Sequence, residues 1–146
     1  MRLLLICLIE YVLCLVQTSL GPFGPDLVLL SLFIIALHET RLAATALAFL
    51  AGLCLDLSVP ASLGVNVAIY TALTYGVASV HALLYRSRWH LVLLVLVGLV
   101  ARHGLRFLVG AELPAPTPLA VSGGLTLLLV LPADWLGSRL LQTRAT

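Results

Sequence analysis

Long apolar runs separated by short polar breaks set the pattern of this chain. The runs cover residues 3–20, 25–38, 42–58, 63–85, 89–110 and 119–138. The breaks carry turn chemistry: Gly21-Pro22-Phe23-Gly24-Pro25, His38-Glu39-Thr40-Arg41, Val59-Pro60, Tyr85-Arg86-Ser87-Arg88, and the proline-rich stretch from Glu112 to Pro118. A helix needs about 20 apolar residues to cross about 30 Å of hydrocarbon. The pattern therefore predicts an all-α, polytopic membrane protein, a compact bundle of about six transmembrane helices forming one domain over residues 1–146. The second run is short, since 14 residues rise only about 21 Å. The Gly/Pro stretch before it is expected to dip below the headgroups, shielded by neighbouring helices.

Composition agrees with the pattern. Hydrophobic residues make up 62% of the chain and charged residues 10%, and the mean hydropathy is +1.16. Eight arginines, six acids and no lysine are too few to cover a soluble domain. No basic cluster suggests a nucleic acid. The arginines do suggest an orientation. With both termini cytoplasmic, Arg2, Arg41, Arg86, Arg88, Arg139 and Arg144 lie on the inner side, and the outer turns 21–24 and 59–62 hold none. The first run resembles a signal peptide only superficially. Glu10 interrupts it, and Gln17-Thr18-Ser19-Leu20 is a poor cleavage site, so it is expected to stay.

Candidate chemistry is sparse. Cys7, Cys14 and Cys54 lie inside apolar runs without metal-ligand spacing, and His38, His81, His90 and His103 are scattered. There is no phosphate-binding loop, HExxH or GxSxG. The reading is a non-enzymatic chain with no cofactor and no metal.

Small residues recur at a spacing of four. The third run has Ala44, Ala48, Gly52 and then Asp56; the fourth has Gly64, Ala68, Ala72 and Gly76; the fifth has Gly98, Arg102, Arg106 and Gly110. Such stripes let helices approach closely in lipid and are expected to be the packed faces. Charges on them need partners. Asp56 lies about 21 Å above the inner surface and Arg102 about 20 Å, with Arg106 one turn higher. An ion pair between Asp56 and Arg102 or Arg106 is the leading expectation, because a lone charge facing lipid costs at least ~2.5–3.5 kcal/mol. Glu10 and Asp134 are also expected to face inward, with partners the sequence does not identify.

The residues then suggest a family. Pro25-Asp26 opening a short helix, Gly52-Leu53-Cys54-Leu55-Asp56 closing the next, and Leu63-Gly64 after a short turn resemble the rod shape-determining protein MreD family in order and spacing. Asn66 departs from the pattern, because family members often carry histidine there. The resemblance implies a membrane scaffold or regulatory subunit of the bacterial cell-elongation complex in the inner membrane. It would bind MreC directly. Through MreC it would join MreB, RodA and its penicillin-binding transpeptidase in lateral peptidoglycan synthesis. The resemblance also implies a helix plan like the substrate-binding subunits of vitamin transporters. A small-molecule binding subunit is accordingly the alternative reading, and a proton-coupled transporter or lipid flippase a third. Short outer turns speak against the first, and the lack of an inverted repeat against the second.

Overall fold

A computed structural model of the chain describes residues 2–58, 64–84, 88–108 and 116–142. Those residues form six α-helices: α1 (Arg2–Leu20), α2 (Leu27–His38), α3 (Arg41–Ser58), α4 (Val65–Leu84), α5 (Arg88–Leu108) and α6 (Pro116–Gln142), with a 3-10 turn at Gly21–Phe23. Four carry stretches long and apolar enough to cross a membrane: Leu3–Leu20, Arg41–Ser58, His90–Leu108 and Thr117–Leu136. Leu27–His38 and Val65–Val80 are shorter apolar helices. Helices α1, α2 and α3 begin and end within two residues of the expected runs 3–20, 25–38 and 42–58, while the expected limits at 63, 85 and 110 lie outside the described residues.

The shortest of the six, α2, is the core of the bundle. It touches all five other helices, and Val28, Leu29, Leu30 and the run Leu32–Ala36 are all buried. It is apolar on every side, as a helix with no solvent- or lipid-facing side must be. It ends at His38, after which Glu39 turns to extended backbone. Thr40 then accepts the Ala43 N–H at 3.4 Å and opens α3.

The tightest approach is between α3 and α4. An added Cβ at Gly52 would lie 2.6 Å from Val67 Cα and 2.8 Å from Val67 N. Only a residue without a side chain allows the two backbones to meet there. This contact sets the rotation of α4. Asn66, Tyr70, Thr74 and Ala78, four residues apart, become its buried edge. Ala68, Ala72 and Gly76 are offset from that edge by two residues, about 200° round a helix, and face outward. The stripe expected to pack α4 is thus its exposed side. Gly64 is not a packing residue either: its φ of +86° makes it the turn entering α4, and an added Cβ there would meet open space. On the other helices Ala44, Ala48 and Gly98 are buried, while Leu63 and Gly110 lie outside the described residues.

Gly98 on α5 faces Phe33 of α2, whose ring would lie 2.5 Å from an added Cβ. Phe33 is fully buried and has nowhere to swing. Gly98→Ala should therefore cost about 1–3 kcal/mol by overpacking, part of it recovered by Phe33→Leu. Gly76→Ala meets nothing within 4 Å and should be neutral. Melting temperatures of the three variants in detergent test the contrast; equal shifts for Gly98→Ala and Gly76→Ala would remove it.

Candidate functional site

Two clusters of hydrogen-bonded polar groups lie inside the bundle, at the N-termini of α2 and α4, while the buried Glu10, Thr74 and Asp134 stand apart from them. A helix start leaves its first N–H groups without intrahelical partners. In lipid there is no water to take them. At α2 each is accounted for. The Asp26 N–H donates to Thr126 Oγ1 of α6 at 2.7 Å, and the Leu27 N–H to the Pro25 carbonyl at 3.0 Å. The Val28 N–H donates to Gln17 Oε1 of α1 at 2.9 Å, and the Leu29 N–H to Asp26 Oδ1 at 3.2 Å.

Asp26 does more than cap. Its Oδ1 also accepts from Gln17 Nε2 at 3.1 Å and from the Tyr70 hydroxyl of α4 at 3.2 Å. Its Oδ2 forms a salt bridge with the Arg102 guanidinium of α5. That guanidinium lies over the Tyr70 ring, 5.3 Å from its centroid, in cation–π contact. Asp26 is 1% exposed and the Arg102 side chain 13%. One carboxylate thus ties α1, α4 and α5 to the start of α2, while its backbone N–H reaches α6.

Asp56 does the corresponding work for α4. Its Oδ2 accepts the Gly64 and Val67 N–H groups at 2.9 and 3.0 Å. Its Oδ1 accepts the Asn66 N–H at 3.2 Å and Asn66 Nδ2 at 2.8 Å. The carboxylate sits one turn above Gly52, and the close approach at Gly52 is what brings the α4 N-terminus within its reach.

These bonds correct the expected ion pair. A carboxylate offers about four acceptor sites, and those of Asp56 are taken by four N–H donors of α4 and its entry turn. Among the described residues no ion pair joins Asp56 to Arg102 or Arg106. The partner of Arg102 is Asp26. Depth does not separate the two acids: α2 counted up from His38 places Asp26 about 18 Å above the inner surface, near the level of Arg102 just as Asp56 is. Arg106 sits half-buried one turn further along α5, and its Nε has no hydrogen-bond partner.

Neither site resembles a catalytic or metal centre. Both carboxylates are saturated by donors belonging to the fold, which leaves no acceptor for a substrate proton or a cation. Among the described residues no group of three His, Cys, Asp or Glu side chains is placed to hold a metal ion.

Pro25-Asp26 and the Gly52, Asp56, Gly64 series are also positions on which the sequence resembles MreD proteins, with Asn66 the departure from them. Residues 1–116 match the family model of the rod shape-determining protein MreD. The chain belongs to the MreD family. It is therefore a membrane protein of a family that determines rod shape. In this MreD-family chain the residues that carry the resemblance are the two helix caps and the glycines around one of them, and Asn66 adds a side-chain N–H to Asp56. No curated protein and no solved structure matches the chain, so the expected likeness to vitamin-transporter subunits finds no support.

Proposed function

We propose that this chain is a non-enzymatic scaffold of the bacterial cell-elongation complex. It sits in the inner membrane with both termini cytoplasmic, binds the bitopic protein MreC, and through it reaches MreB, RodA and the penicillin-binding transpeptidase of lateral wall synthesis. The family match over residues 1–116 carries this reading. The saturation of Asp26 and Asp56 supports the non-enzymatic part, since groups spent on helix starts hold helices in place and do not exchange protons with a substrate.

The test is purification of the intact chain in mild detergent from cells that express it at native level, followed by mass spectrometry. Stoichiometric MreC is expected. A bound small molecule in place of a bitopic partner would favour the transporter-subunit reading instead. The orientation is checked separately. Cytoplasmic reporters fused at Ser87 and after Thr146 should be active, and fusions at Ala61 and Ala115 should report the outside; the reverse would overturn the arginine argument.

A further inference from the structure

One buried acid has no structural work. Glu10 of α1 is 3% exposed, and neither of its carboxyl oxygens has a hydrogen-bond partner. Ser31 of α2 approaches it, but the single Ser31 hydroxyl proton is given to the Val28 carbonyl at 3.0 Å. Among the described residues Asp26 and Asp56 each collect four donors and the buried Asp134 has one oxygen, Oδ1, without a partner, whereas both oxygens of Glu10 are buried and unpaired.

Glu10 lies in the wall of a groove. The space, about 220 Å³, runs between α1 and α3 and is otherwise lined by Cys7, Tyr11, Cys14, Leu47, Leu50, Ala51 and Cys54. Its rim faces outward: Tyr11 and Leu50 are both 52% exposed. The level is the middle of the membrane. Glu10 is eight residues, about 12 Å, beyond Arg2 and ten residues, about 15 Å, short of Leu20. At that depth water is absent, acyl chains carry no hydrogen-bond donor, and headgroups are out of reach. A membrane-spanning protein segment is what can bring a donor there.

We propose that the α1–α3 groove receives a transmembrane helix of another polypeptide, and that a neutral donor side chain at the middle of that helix, a hydroxyl or an amide, hydrogen-bonds Glu10. The inference rests on the scaffold reading above and gives it a surface. Helix α1 leaves a flank for such a partner, since only 17% of its spanning stretch is buried within the chain; α6 is as open, and the unpaired Glu10 is what marks α1. The incoming helix lies along α1, sets apolar side chains between Tyr11 and Leu50, and completes the coordination of the acid.

Cys7 and Cys54 flank the groove and serve as natural reporters. The full chain is placed in lipid nanodiscs with the membrane helix of MreC carrying one cysteine, stepped along its length, and disulfide formation is catalysed. Cross-links to Cys7 and Cys54 should recur every three to four positions and centre on a donor residue. Leu50→Trp, at the exposed rim, should abolish them without loss of abundance. Glu10→Leu should weaken binding about tenfold, the scale of one interhelical hydrogen bond in a membrane, and Glu10→Gln, which keeps an acceptor, should bind nearly as the parent does. If the complex forms but the cross-links instead reach a cysteine placed at Ala72 or Tyr75, the groove assignment is wrong and the scaffold reading survives. Unchanged binding by Glu10→Leu would show that the acid merely fills space. If no complex forms with the unmodified chain, both readings fall.

Discussion

Asp26→Ala is expected to remove most of the folded protein from the membrane. The change deletes the acceptor of four bonds at once, from Gln17, Leu29, Tyr70 and Arg102. In water, loss of a helix cap costs about 0.5–2 kcal/mol. Here the larger part is electrostatic, because Arg102 remains inside the bundle without its counter-charge, and breaking a buried pair costs about 3–5 kcal/mol. Arg102→Met should be milder, since Asp26 keeps three of its four donors. The pair Asp26→Asn with Arg102→Met removes both charges and keeps an acceptor for the α2 cap. It should be more abundant and melt higher than Asp26→Ala. Membrane abundance of a fluorescent fusion and thermal stability in detergent read all three variants, and adding Asp26→Asn alone closes the double-mutant cycle that gives the coupling between the sites. Wild-type stability for Asp26→Ala would mean that neither the ion pair nor the cap matters.

The asymmetry between what the sequence revealed and what it hid follows from the same physics. Helix number and bounds were legible because each run must be long and apolar enough to span or fill the bundle, and because Gly/Pro and charged breaks are unambiguous punctuation. The packing stripes were only partly legible. Ala68, Ala72 and Gly76 have the spacing of a helix contact, but the rotation of α4 is set at its N-terminus, by Gly52 against Val67, and that contact turns the stripe outward. Spacing states that residues share a face; it does not state which way the face points.

The ion pair was misassigned for a related reason. Depth placed Asp56 level with Arg102, and charge complementarity suggested the rest. What competed was the backbone. A helix beginning inside the membrane presents N–H groups that must be satisfied, and the nearest acceptor, Asp56, is consumed by that demand. Asp26 meets the same demand at α2 with help from Gln17 and Thr126, which leaves one oxygen for the guanidinium. Side-chain inventories do not contain those backbone donors, and both sites depend on them. Gln17 and Thr126 were missed for this reason: each lies in an apolar run, and nothing in its own sequence context shows that it supports the start of a helix elsewhere in the chain.

Asp56→Ala and Gly52→Ala should injure the same junction by different means. Asp56→Ala removes the acceptor shared by the N–H groups of Gly64, Asn66 and Val67 and the Asn66 side chain. Each unsatisfied group in a dry interior costs about 1–3 kcal/mol, so the expected loss exceeds that of any single cap in water. Asp56→Asn keeps one acceptor oxygen but turns an amide toward two N–H donors, and should fall between the alanine variant and the parent. Gly52→Ala keeps every bond partner but drives a methyl group to 2.6 Å from the Val67 Cα. Backbone cannot yield as a side-chain tip does, so α4 must back away from α3. Its N–H groups then withdraw from Asp56, and the cap weakens even though the carboxylate is untouched. The two substitutions should therefore be strongly non-additive: once α4 has been pushed off, removing Asp56 has little left to break. Melting temperatures of the single and double variants decide this. If the two losses simply add, close approach and capping are independent, and the Gly-x-x-x-Asp spacing does not function as one device.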